Sequence, residues 1–196
     1  MTAETDKTAL RVRLRGLRRR LAIAAPDAAE RAARRLPLSR FSRFRIVSAY
    51  SPQGSELDPT PVLDALLGLA PGLTQAALPV AVDRTSTLKF RLWRPGEALV
   101  PDAMGIPAPP PSSPEVAPSL VLTPLLGFDR HGGRLGQGAG HYDRALAKLR
   151  KDRPVFALGL AYAGQEVDAV PTAPHDQRLD AILTESAFME VTGRTG

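Results

Sequence analysis

The residues best suited to chemistry lie in one stretch, Thr123-Pro-Leu-Leu-Gly-Phe-Asp-Arg-His-Gly-Gly-Arg-Leu-Gly-Gln-Gly-Ala-Gly-His-Tyr-Asp-Arg144. Five glycines fall between positions 132 and 140, and Gly136, Gly138 and Gly140 alternate. Glycine admits positive φ and lets backbone approach a ligand closely. A glycine-rich turn that opens a helix points free N–H groups outward, which suits an anion such as phosphate. Arg134 adds a positive fork, and Asp143 adds a hard oxygen ligand for a metal such as magnesium. No Gly-Lys-Ser/Thr follows, so this is not a Walker A loop, and the G-x-G-x-G spacing is not the dinucleotide fingerprint. On residue types alone the stretch predicts an anion-binding loop, with an unliganded glycine-rich hairpin as the alternative.

Other candidates are weaker by themselves. Lys7 and Arg11 sit one helical turn apart and can grip a phosphate together, although the same spacing describes a solvated helix face. Glu56 follows a strand end and can accept two hydrogen bonds from an amino-bearing heterocycle. As a lone acid in a loop it equally fits a turn or capping role. Asp176 and Asp180 read as one turn apart, placed to complete a magnesium site with Asp143. The three histidines lack zinc-ligand spacing, and there is no cysteine, which excludes thiolate metal sites and disulfides. No serine-histidine-acid triad is signalled.

These residues need a scaffold. Leu10, Leu14, Leu17 and Leu21 recur at spacings of four, three and four, predicting a helix over 7–24 with arginines on its other faces. A second helix is expected from Pro26-Asp27 to before Pro37, a third from Asp58-Pro59 through Leu69, and a fourth over 142–150. Residues 45–50, 77–82, 87–93, 119–123, 154–162 and 180–184 read as strands. The proline-rich stretch 101–118 reads as a meandering surface loop. Strands alternating with helices predict one doubly wound α/β domain of 196 residues. Ligands of such sheets sit outside the carboxyl ends of the strands, where the glycine-rich stretch falls.

Residues 1–45 carry 13 of the 26 basic residues and four acids, in a chain of net charge +6. With aromatics at 5% and none among the arginines of 11–20, there is no platform for base stacking, so the basic helix reads as a solvated face. No apolar run reaches membrane-spanning length and the N-terminus lacks a signal-peptide core, so a cytoplasmic address is expected.

Phe128-Asp129 followed by Gly133-Arg-Leu-Gly-Gln-Gly-Ala-Gly-His-Tyr-Asp-Arg144 resembles the signature of the 5-formyltetrahydrofolate cyclo-ligase (methenyltetrahydrofolate synthetase) family. The resemblance extends to Lys7-Thr-Ala-Leu-Arg11, Ser55-Glu-Leu-Asp58, Gly105-Ile-Pro107, Gln165 through Pro171, and His175-Asp176 to Asp180. It implies a single-domain three-layer α/β/α sandwich with a mostly parallel sheet over residues 1–196. It also implies ATP- and Mg2+-dependent cyclisation of 5-formyltetrahydrofolate to 5,10-methenyltetrahydrofolate. In that chemistry ATP phosphorylates the formyl oxygen, a neighbouring nitrogen attacks the activated carbon, and phosphate leaves.

Carried onto this chain, the resemblance assigns Lys7, Arg11, Arg134, Leu135, Gly136, Gln137, Gly138, Ala139, Gly140, His141 and Tyr142 to ATP. Glu56 would hold the pterin, with Gln137 to His141 also facing the folate. Asp143 and Asp176 would bind magnesium, and Arg134 and Tyr142 would be catalytic. The partners implied are small molecules, with no membrane or nucleic acid, and the chain is expected to be a monomer. The chain departs from the family pattern at His141, where a tyrosine is usual, at Gln137 and Ala139, and at Ala108, where an acid is expected. The alternatives are an ATP-binding paralogue acting elsewhere in cofactor metabolism, and a basic nucleic-acid-binding module built on the first helix.

Overall fold

The computed structural model describes residues 3–191. Its helices are α1 (Ala3–Ala24), α2 (Ala28–Ala33), α3 (Thr60–Leu69) and α4 (His141–Asp152). Its strands are β1 (Ile46–Ser48), β2 (Gln75–Val80), β3 (Lys89–Trp93), β4 (Val100–Pro101), β5 (Pro107–Ala108), β6 (Leu120–Pro124), β7 (Gly127–Phe128), β8 (Arg134–Leu135), β9 (Phe156–Leu160), β10 (Ala181–Leu183) and β11 (Phe188–Glu190). Seven strands form the central sheet in the order β11-β10-β9-β6-β1-β2-β3. The five inner strands run parallel, and β3 and β11 close the two edges antiparallel.

Alternation along the strands sends side chains to two faces. Leu120, Leu122, Leu158 and Leu160 pack with Val62, Leu63 and Leu66 of α3 and the alanines of α2. Val121, Ala157 and Ile182 face the other way, against Leu146 of α4. The result is the expected α/β/α layering with a mostly parallel sheet. From β1 the chain winds through α3 toward β2, whereas from β6 it winds through α4 toward β9 and β10. The winding reverses between β1 and β6, and that reversal opens a crevice at their carboxyl ends.

Three local expectations change. The stretch 101–118 is not wholly irregular, since Val100 pairs with Ala108 and Pro101 with Pro107 in a short ribbon. Between β6 and α4 the chain does not pass straight into a turn; Gly127 and Phe128 pair with Leu135 and Arg134, so the glycine loop leaves a hairpin. Residues 175–180 are not helical, so Asp176 and Asp180 are not turn-neighbours on a helix. Asp180 instead accepts from Arg150 (2.7 Å) and from the Ala157 N–H (2.7 Å).

Candidate active site

A cavity of about 630 Å³ lies at the carboxyl ends of β1, β2 and β6, in the size range of small-molecule sites. One wall is apolar and includes Leu88, Met104, Ile106 and Leu125. Every position from Arg134 to Asp143 lines it, as do Lys7, Arg11, Glu56 and Asp176. Four stretches far apart in sequence therefore meet at one place.

The glycine loop is set from below by Asp129. Its Oδ1 accepts the N–H groups of His131 (2.9 Å) and Gly133 (2.9 Å), and its Oδ2 accepts the Val170 N–H (2.8 Å). A Cβ on Gly133 would lie 2.3 Å from Asp129 Oδ2, so only glycine leaves room for the carboxylate. Beyond the hairpin, Gly138 (φ 112°) and Gly140 (φ 66°) take left-handed conformations that L side chains rarely adopt. Gly140 caps α4 without a side-chain hydrogen bond, leaving that helix N-terminus to the cavity. The Leu135 side chain is buried beside Leu14, Leu126 and Val170, which anchors the start of the loop.

Helix α1 lies across the loop. Its leucines pack inward, with Leu14 fully buried against Leu126 and Leu135. A Cβ on Gly127 would come within 2.5 Å of Leu14 Cδ1, which shows how close the helix sits. The adjacent stripe, Lys7, Arg11, Arg15 and Arg18, faces the site. Lys7 Nζ pairs with Asp176 Oδ2 at 2.6 Å. Arg11 Nε donates to the Gly136 carbonyl (3.3 Å), and Arg15 donates to the side chain (3.0 Å) and carbonyl (3.3 Å) of Gln137. Arg18 reaches Ser55 Oγ (3.1 Å), Glu56 Oε1 (3.4 Å) and the Leu125 carbonyl (3.2 Å). The expectation of a solvated basic face thus fails on this side of the helix and holds for Arg13, Arg19 and Arg20, which are exposed.

Two ion pairs organise the far side. Arg134 Nη2 donates to Asp143 Oδ1 at 2.8 Å, with its guanidinium 5.7 Å from the centre of the Tyr142 ring. The same Asp143 oxygen accepts the Gln177 N–H (3.0 Å). Arg134 Nε is buried with no acceptor among the described residues. Burial works to raise the Asp176 carboxyl, but the Lys7 ammonium and the Ala173 N–H outweigh it and hold the group below the usual aspartate value. Burial pushes the Tyr142 hydroxyl well above its usual value, Glu56 adds to this, and Arg134 only partly opposes it. Burial likewise raises the Glu56 carboxyl, against the Gln53 N–H (2.9 Å) and Arg18. Glu56 therefore closes its own turn, and it also lines the cavity.

His141 lines the cavity and also reaches a neighbouring element. Its Nε2 lies 3.2 Å and 3.1 Å from the carbonyls of Asp83 and Arg84, so the ring reaches the β2–β3 connection while its residue lines the cavity. Arg144 joins it, reaching the Arg84 and Ser86 carbonyls. No group of three or more metal-ligating acids and histidines occurs among the described residues. Asp143 and Asp176 still suit magnesium, which commonly takes one or two carboxylates together with phosphate oxygens and water.

The model of the 5-formyltetrahydrofolate cyclo-ligase family matches residues 3–185. The chain belongs to this family. The 5-formyltetrahydrofolate cyclo-ligase of Mycolicibacterium smegmatis is 35% identical over 148 residues, covering 71% of this chain and 73% of that protein. That of Escherichia coli K12 is 32% identical over 142 residues, covering 69% and 75%. The 5,10-methenyltetrahydrofolate synthetases of Aquifex aeolicus (TM-score 0.71, 24% identity, 97% of this chain and 95% of that one) and Mycoplasma pneumoniae (0.70, 23%, 92% and 99%) share the fold.

Within this cyclo-ligase family fold, Arg15, Arg18, Arg144 and Gln53 also build the site. Arg15 and Arg18 had a legible signal, because 7, 11, 15 and 18 share one helix face by the same spacing that marked the leucines. Arg144 closed the signature without an assigned role, because the Arg84 and Ser86 carbonyls come near it only on folding, whereas Gln53 meets Glu56 inside its own turn.

Proposed function

We propose that this chain is an ATP-dependent ligase converting 5-formyltetrahydrofolate to 5,10-methenyltetrahydrofolate, with release of ADP and phosphate. The observation that carries this reading is the convergence of 7–11, Glu56, 134–143 and Asp176 on one cavity at the sheet's winding reversal, in a chain of this family. The α4 N-terminus, free of a side-chain cap, and the glycine loop would receive the ATP phosphates, with Lys7, Arg11 and Arg134 supplying positive charge. Asp143 and Asp176 would hold Mg2+, which neutralises phosphate charge when bound. Both carboxylates already lie beside the cations meant for phosphate. Binding would exchange partners: the carboxylates turn to the metal, and Lys7 and Arg134 turn to phosphate oxygens, which also offers Arg134 Nε an acceptor.

The apolar wall would take the folate ring system and Glu56 its amino and ring N–H donors. Tyr142, kept protonated by burial, would donate a hydrogen bond to a phosphoryl oxygen, where charge builds as phosphate leaves. Phosphorylation turns a poor amide leaving group into a good one, so the protein's task is placement and charge stabilisation. We place the enzyme in the cytoplasm as a monomer without nucleic acid; no described helix is long and apolar enough to cross a membrane. The test mixes protein, ATP, Mg2+ and 5-formyltetrahydrofolate and follows the near-ultraviolet absorbance of the methenyl product. An ATP-dependent rise is expected. ATP binding without folate turnover would favour a paralogue with another substrate and overturn this reading.

A further inference from the structure

Arg18 differs from the other basic residues of α1. It is 4% exposed, and it is absent from the cavity surface that Lys7 and Arg11 line. Its guanidinium binds Ser55 Oγ, Glu56 Oε1 and the Leu125 carbonyl, joining the loop after β1 to the end of β6. We infer that Arg18 is a positioning residue that holds the Glu56 carboxylate, in orientation and in charge, as a double acceptor for a ligand presenting adjacent N–H and NH2 donors. This rests on the cyclo-ligase reading and adds a residue to it.

The Glu56 side chain is 7% exposed, so its charge is supported by neighbours and not by water. The groups facing it are Arg18 from α1, the Gln137 amide from the glycine loop, the Gln53 N–H in its own turn, Tyr50 at the end of β1 and Tyr142 from α4. Of these only Arg18 carries positive charge. A carboxylate offers two acceptor oxygens, whereas the protonated acid turns one into a donor and cannot take two donors side by side. Burial already favours the protonated form, and Arg18 opposes it. Arg18 also fixes the side chain in place, since it holds Oε1 while the Gln53 N–H holds Oε2.

The experiment measures equilibrium binding of 5-formyltetrahydrofolate, without ATP, to the full chain and to Arg18→Gln, Arg18→Lys and Glu56→Gln across pH, with ATP binding measured in parallel. Arg18→Gln is expected to weaken folate binding at least about tenfold near neutral pH while ATP affinity stays within about twofold. The acid limb of folate affinity should move to higher pH, because Glu56 loses the charge that opposes its protonation. Arg18→Lys keeps that charge and should return the limb toward the wild-type position. Equal losses of folate and ATP binding, or an unshifted acid limb in Arg18→Gln, would overturn the inference. If Arg18→Gln does not fold, Arg18→Lys decides the matter: it should weaken folate binding in the wild-type background and add nothing to Glu56→Gln. The same loss in both backgrounds would refute it. A wild-type chain that binds no folate overturns the cyclo-ligase reading and this inference together, whereas wild-type binding with unchanged Arg18 variants overturns the inference alone.

Discussion

Asp143 and Asp176 each stand between a cation and a proposed metal, and their variants should separate the two relationships. Asp143→Asn removes an oxygen of the proposed metal site and unpairs the buried Arg134. It should lower turnover at least about tenfold at limiting Mg2+ and raise the Mg2+ concentration needed for half-maximal rate. A wild-type Mg2+ titration would refute the metal role. Asp176 makes a pH prediction. Its carboxyl is held below the unfolded value of about 3.9, so its contribution to stability is present above that value and lost as pH falls through the lower, folded one. Thermal melting of wild type should therefore decline with acidification more steeply than that of Asp176→Asn across this range. Parallel curves would show that the Lys7 pair contributes nothing to stability.

Among the elements, the β7–β8 hairpin decides whether the glycine loop is a site or a floppy turn. Asp129 holds it with three backbone N–H donors, and Val170 extends that hold to the segment leading toward Asp176. Asp129→Asn would turn an acceptor into a donor facing donors, at a cost of about 1–3 kcal/mol. Gly133→Ala would displace the same carboxylate by its Cβ. Both should lower the melting temperature and raise KM for ATP more than KM for the folate, because the phosphate loop is what the hairpin carries. Equal changes in both KM values would mean that the hairpin supports the whole cavity. The sequence marked Phe128-Asp129 as part of a signature without saying why. The reason is a set of backbone donors that only the hairpin fold brings around one side chain.

For the molecule as a whole, α1 ties the basic N-terminal region to catalysis. Its leucine stripe docks it on Leu126, Leu135 and Val170, and its basic stripe meets the loop and Glu56. Leu14→Ala should cost about 2–5 kcal/mol and weaken ATP and folate binding together, since both rely on residues of α1. Substitution of the exposed Arg13 and Arg19 should leave turnover unchanged. Steeply salt-dependent binding of the wild type to duplex nucleic acid, weakened in that variant, would favour the nucleic-acid alternative.

Periodicity and turn chemistry in the sequence by themselves determined the long helices, the strands of the central parallel sheet and the glycine loop's place after a strand, because these follow from neighbours along the chain, whereas the short β4–β5 and β7–β8 pairings did not show. The signature residues named every acid and base proposed for chemistry. Only the tertiary structure decided which face of α1 is solvated, that Arg15 and Arg18 belong to the site, and that Asp180 does not. Asp180 is drawn off by Arg150 and the Ala157 N–H, and the outcomes at the arginines depend on the approach of α1 to the crevice between β1 and β6. That approach is set by the fit of Leu14 against Gly127, a contact between residues more than a hundred positions apart.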